Sequence, residues 1–100
     1  MLACRLGVLT AAERTQQKEL RATLKRGTTR VIEDAEGLTF QFSAGVASAT
    51  VMTWVERERK CCPFLRFTLD MPEDRGPSSL RVWGGPGVKA FLATETKIGG

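Results

Sequence analysis

The residues with the clearest chemical potential lie between positions 58 and 64, where the sequence reads Glu-Arg-Lys-Cys-Cys-Pro-Phe. Cys61 and Cys62 are adjacent thiols, and Pro63 restricts the backbone directly after them. Two soft sulfur donors at a rigid corner suit a thiophilic metal ion or a small electrophile. A trans peptide holds their α-carbons about 3.8 Å apart, below the usual disulfide range of about 4.4–6.8 Å, so a resting bridge between them would be strained.

Glu58 is the acid that the helical pattern places beside these sulfurs. On a helix from Val46 to Cys61, Glu58 falls inside the apolar arc that contains Trp54, one turn before the cysteine pair. A carboxylate there is partly desolvated, which makes it a candidate catalytic proton donor or a base that supports a ligand. The alternative is that Glu58 pairs with an arginine such as Arg14 or Arg66, or leaves the core at the helix edge.

The cysteine count narrows the chemistry further. The chain has three cysteines, no histidine and no tyrosine, so a single chain has no imidazole for catalysis or for zinc binding. An odd count argues against a disulfide framework and for free thiols, metal ligands or a redox role. Cys4 is a candidate third sulfur if the N-terminal segment packs beside the corner, although a free cysteine is often a small core residue. The metal-ligand candidates are therefore Cys61, Cys62 and Cys4, and the candidate ions are soft: Hg(II), Cd(II), As(III) or Cu(I).

Length and charge limit the number of domains, the kind of partner and the location of the protein. One hundred residues fit a single domain spanning 1–100. The net charge of +4 favours anionic partners, but it is small for a nucleic-acid binder, so nucleic acid is not the expected partner. The start lacks a secretory signal and the longest charge-free stretch, Leu38 to Val55, is interrupted by polar residues, so the sequence predicts a cytoplasmic protein that does not enter a membrane.

The elements that must position the site follow from local patterns. Thr10 and Glu13 form a capping-box pattern that opens a helix reaching Arg26, and Gly27 is the expected stop signal. Strands are predicted over Thr28 to Asp34 and Leu38 to Ser43, then a helix over Val46 to Cys61, strands over Phe64 to Met71 and Leu80 to Trp83, and a short helix from Pro86 or Gly87 to Thr96. The predicted fold class is α+β, in the order helix, β-hairpin, helix, β-hairpin and short helix. Its four strands form one antiparallel sheet with the helices packed on one face.

The stretch from Glu58 to Phe64 resembles the E-x-x-C-C-P-F signature of a family of small, mostly uncharacterised bacterial domains, which occur alone or attached to regulators of the mercury-responsive type. The resemblance extends to Cys4, Glu13-Arg14, the alternating strand at 38–42 and Gly85 to Phe91. It implies a heavy-metal or thiol-reactive role for Glu58, Cys61 and Cys62, with Pro63 and Phe64 completing the motif. The sequence contains no winged-helix segment for binding DNA.

Three functions remain open from the sequence. The first is a binding domain for a thiophilic ion, with Cys61 and Cys62 as ligands and Glu58 beside them. The second is an enzyme in which thiolates capture an organometal or electrophile and Glu58 delivers a proton. The third is a non-catalytic interaction module that uses Trp83 and a basic stripe on the first helix, comprising Arg14, Lys18, Arg21 and Lys25. The edges of the hairpins also allow a homodimer.

Overall fold

A computed structural model describes residues 5–95 of the chain. A short 3₁₀ turn, Leu6–Val8, precedes the first helix, and another, Glu73–Arg75, lies between the last two strands. The main elements are α1 (Ala11–Gly27), β1 (Thr28–Glu33), β2 (Gly37–Phe42), α2 (Ser48–Cys61), β3 (Arg66–Asp70), β4 (Ser79–Trp83) and α3 (Val88–Glu95). The predicted α+β class and element order are confirmed, and each described element boundary differs from its prediction by about two residues or fewer. The predicted end of the last helix, Thr96, lies outside the described residues.

The four strands form one antiparallel sheet in the order β1-β2-β4-β3. The two hairpins join at the centre, where β2 pairs with β4 and Phe40 lies opposite Leu80. Gly37 opens β2 opposite Trp83, and a Cβ at that position would collide with the carbonyl oxygen of Val82. Glycine is therefore required where the two hairpins approach each other.

One face of the sheet carries the core. Phe40 and Phe42 of β2 and Leu80 and Val82 of β4 point to the same side, because side chains alternate along a strand. Each helix adds buried residues to the same cluster, namely Leu24 from α1, Val51 and Trp54 from α2, and Val88 and Leu92 from α3. The three helices thus cover one face, as predicted.

Helix α1 begins as the sequence indicates and ends for a different reason. The Thr10 side chain accepts from the Glu13 backbone N–H at 3.0 Å, and Glu13 Oε1 accepts from the Thr10 backbone N–H at 2.9 Å. The helix does end at Gly27, but its C-cap is Thr28 in an extended conformation, so the end is not formed by a left-handed glycine. A Cβ on Gly27 would collide with the Val46 side chain, which makes this glycine a packing requirement.

Helix α2 carries the candidate site at its C-terminus. It begins at Ser48, after an N-cap at Ala47 that makes no side-chain hydrogen bond. The preceding Val46 is half-buried and packs against the core, so the predicted start was two residues early. The helix ends at Cys61, and the Cys62 N–H donates to the Glu58 carbonyl at 2.7 Å. The sharp end before Pro63 confirms the expected corner.

The opposite sheet face and one edge remain accessible. Strand β1 is an edge strand whose residues 29–33 are all exposed, including the apolar Val31 and Ile32. A homodimer through this edge stays a prediction. None of the helices in the described part of the chain is long and apolar enough to cross a membrane.

Candidate metal centre

Three potential ligand atoms meet at the C-terminal end of α2. Cys61 Sγ lies 3.6 Å from Cys62 Sγ and 3.6 Å from Glu58 Oε2. All three atoms lie within 4.8 Å of one another, and both cysteines are 1% exposed whereas Glu58 is half-buried. The helical wheel therefore placed Glu58 correctly beside Cys61, because Glu58 lies one turn before Cys61 on the face that packs inward.

The two sulfurs are in different chemical states. Cys61 is a free thiol, whereas Cys62 is disulfide-bonded. The prediction of free thiols thus holds for Cys61 and is wrong for Cys62, since an odd cysteine count cannot show which sulfurs are oxidised. At 3.6 Å, Cys61 and Cys62 are not bridged to each other, in keeping with the expected strain of such a bridge. Cys61 carries the proton that can be donated to the neighbouring sulfur or to Glu58.

The N-terminal segment covers this corner. Leu9 is buried against Cys61 and Cys62, with Phe64 and Leu65 packed around the same cluster. The Arg5 backbone N–H donates to the carbonyl oxygen of Cys61. The residues just before α1 therefore exclude water from the sulfurs. Cys4, the third predicted ligand, lies outside the described residues.

A buried glutamine that the sequence analysis missed orients the carboxylate. Gln17 of α1 donates through Nε2 to Glu58 Oε2 at 3.0 Å and to the Trp54 carbonyl oxygen at 2.9 Å. Because both partners are acceptors, the amide orientation is fixed. The available signal was that Gln17 shares a helix face with Leu20 and Leu24, where a polar residue needs a specific partner once it is buried.

The arginines considered as partners for Glu58 lie elsewhere. Arg14 donates to the Leu9 carbonyl oxygen at 2.7 Å. The Arg66 guanidinium stacks on the Trp83 ring, 4.4 Å from its centroid, on the sheet. Among the described residues, Gln17 and the Cys61 thiol donate hydrogen bonds to the Glu58 carboxylate. The alternative of an arginine partner is therefore not realised by Arg14 or Arg66, and α1 instead presents the Gln17 amide to Glu58.

The local environment disfavours ionisation of Cys61. Burial is the largest cause, followed by the negative charge of Glu58 and the hydrogen bond to it, and together they raise the pKa of the Cys61 thiol from 9.0 to about 11. At neutral pH this sulfur is a protonated thiol. It becomes a strong ligand only when a metal displaces its proton.

Replacing Gln17 tests its positioning role. In Gln17→Leu, the Trp54 carbonyl and the Glu58 carboxylate lose the donor that satisfies them. We expect the free energy of unfolding to fall by about 1–3 kcal/mol, as measured by urea denaturation. Gln16→Leu is the matched control, since Gln16 is the exposed neighbour on the same helix and should change stability by less than about 0.5 kcal/mol. Equal losses in the two variants would contradict the assignment.

The residues of the proposed interaction surface are not gathered at this centre. Trp83 lies on the other face of the sheet, where the Arg66 and Arg81 guanidinium groups each lie 4.4 Å from its ring centroid. Arg81 is also paired with Asp34 through two hydrogen bonds of 3.0 and 3.1 Å. Two positive charges on this face are thus already engaged by groups of the same chain.

No family model, no curated protein and no solved structure matches this chain.

Proposed function

We propose that the reduced chain binds a thiophilic metal ion through Cys61 and Cys62, with Glu58 beside them. The observation that carries this proposal is the convergence of two buried sulfurs and a carboxylate oxygen within 4.8 Å. Placing a carboxylate against buried sulfurs costs free energy of desolvation unless a partner offsets it. A metal ion uses all three groups at once.

The ion-binding form requires reduction of Cys62. A dithiol reductant transfers two electrons and two protons to the Cys62 disulfide and is itself oxidised to a disulfide. Metal binding then releases the protons of the two thiols. A reducing compartment such as the cytoplasm would keep the pair in this form, and cytoplasmic location is part of the proposal.

The stretch from Glu58 to Phe64 resembles the E-x-x-C-C-P-F family, which agrees with this function, and we propose that the chain is a member of that family.

The catalytic alternative uses the same atoms and differs in one measurable property, turnover. An enzyme would convert an organometal or electrophile with turnover, whereas a binding domain takes up the ion in stoichiometric amount.

Metal titration of the reduced protein tests the proposal. The protein is reduced with a dithiol, freed of reductant under anaerobic conditions and titrated with Cd(II), Hg(II), Cu(I) or arsenite. We expect sulfur-to-metal charge-transfer absorption that saturates at one ion per chain. In Cys61→Ser/Cys62→Ser the affinity should fall by about 100-fold or more, since both soft donors are lost. Unchanged affinity in this double variant would refute the proposal, and Thr68→Ser on the distant sheet is the control.

A further inference from the structure

The distances within the cluster restrict the kind of ion it can hold. Building on the proposed function, we propose that the ligand is a four-coordinate divalent cation of the zinc type, Zn(II) or Cd(II), with Glu58 as the third protein ligand. A bond of about 2.3 Å from zinc to sulfur means that sulfurs 3.6 Å apart subtend about 103° at the ion. With an oxygen bond of about 2.1 Å, the 3.6 Å from Cys61 Sγ to Glu58 Oε2 gives about 110°. Both angles are close to tetrahedral.

Linear coordination does not fit the same sulfurs. Two thiolates on opposite sides of an ion, at bonds of about 2.3 Å, would need to lie about 4.6 Å apart, roughly 1 Å more than the 3.6 Å that separates the two sulfurs while Cys62 is disulfide-bonded. Both cysteines are 1% exposed and pack against Leu9, Phe64 and Leu65. Opening the pair would therefore push against a close-packed cluster.

The carboxylate can complete a tetrahedral site without disturbing the core. Cys62 Sγ and a carboxylate oxygen of Glu58 lie within 4.8 Å of each other. They must therefore approach by at most about 1.2 Å to reach the 3.6 Å that separates Cys61 Sγ from Cys62 Sγ and from Glu58 Oε2. Glu58 is half-buried at the end of a helix, and its long side chain can make this adjustment. Gln17 already directs Oε2 toward the sulfurs.

A water at the fourth coordination position of the ion would have a hydrogen-bond acceptor in the protein. Gln17 Oε1 is buried and, among the described residues, has no hydrogen-bond partner, although Gln17 is only 9% exposed. It belongs to the same amide group that donates to Glu58. A metal-bound water carries protons for such an acceptor, which would satisfy an oxygen that is otherwise costly to bury.

Charge also favours a divalent ion. Two thiolates and one carboxylate carry three negative charges, of which a divalent cation neutralises two and a monovalent one such as Cu(I) neutralises only one. Because unbalanced charge is expensive in a buried site, the divalent ion is preferred.

X-ray absorption spectroscopy of the reduced protein loaded with Zn(II) or Cd(II) tests the coordination directly. We expect two sulfur and two oxygen neighbours, the oxygens coming from Glu58 and from a bound water. A shell of sulfur alone, whether two or three atoms, would overturn the role of Glu58 while leaving metal binding by the cysteines intact. Failure to bind either ion while Hg(II), Cu(I) or arsenite still binds would overturn this inference alone. Failure to bind any of the ions would overturn the proposed function and this inference together.

Variants separate Glu58 from the other candidate third donor. In Glu58→Gln the affinity for Cd(II) should fall by about 10-fold or more, and one oxygen neighbour should disappear. Glu56→Gln, an exposed acid on the same helix, should leave both unchanged, as should Cys4→Ser. Circular dichroism establishes that each variant is folded. Loss of a sulfur neighbour in Cys4→Ser would show that Cys4, and not Glu58, is the third ligand.

Discussion

Trp54→Ala should lower the free energy of unfolding by about 3–5 kcal/mol, the usual loss for a large buried aromatic residue. The Trp54 side chain is 3% exposed and meets the Phe67 ring edge-to-face, with 6.2 Å between the centroids. It joins α2 to the sheet at the level of the site. Removing it leaves a cavity that the surrounding helix and sheet residues can fill only in part.

The measurement is urea denaturation followed by far-ultraviolet circular dichroism, since the fluorescence of the variant comes from Trp83 alone. Met52→Ala is the matched control, because Met52 lies on the same helix and is 44% exposed. It should change stability by less than about 0.5 kcal/mol. A loss below about 1 kcal/mol in Trp54→Ala would mean that the ring does not hold the helix to the sheet.

The second large effect is the resistance of Cys61 to alkylation. With its pKa raised to about 11 from the ordinary 9.0, Cys61 has about 100-fold less thiolate at neutral pH than an unperturbed thiol. Burial lowers its reaction rate with iodoacetamide further. We expect slow modification at pH 7–8, a steep rise toward pH 11, and rapid modification in urea, as followed by mass spectrometry.

Replacing the neighbouring acid should shift this profile. Glu58→Gln removes a negative charge and an acceptor that both raise the pKa of Cys61, so the midpoint should move to lower pH. Glu56→Gln is the control and should not move the midpoint.

The raised pKa of Cys61 also affects stability. Because the folded chain holds the Cys61 proton more tightly than the unfolded chain, the contribution of this thiol to the free energy of unfolding is complete below pH 9 and is lost between about pH 9 and 11. A midpoint near 9 in the native protein would contradict the burial and the contact with Glu58.

Local patterns were sufficient to predict most of the fold. The capping box at Thr10 and Glu13, the alternation along β2 and the block at Pro63 each depend on residues close in sequence, and each was confirmed. The helix does end at Gly27, but the reason for a glycine there depends on a distant residue and could not be predicted. Its function is contact with Val46, which lies 19 residues further along the chain.

The candidate site likewise has features that local sequence predicts and features that depend on distant residues. Helical periodicity placed Glu58 one turn before Cys61, so their proximity could be derived from the sequence. The state of Cys62 and the amide that holds Glu58 could not. Gln17 lies 41 residues before Glu58, and only the packing of α1 on α2 brings the two side chains together.

By itself, the sequence determined the chemistry that this protein has available: adjacent thiols at a proline corner, one acid on the same helix face, and no imidazole. The tertiary structure decided which of these groups meet, at what distances and in what charge state. Covalent geometry and helical repeat act over a few residues, and the sequence displays them. Burial, the Gln17 contact and the packing of Leu9 on the sulfurs arise from contacts between distant segments, and those exist only once the chain has folded.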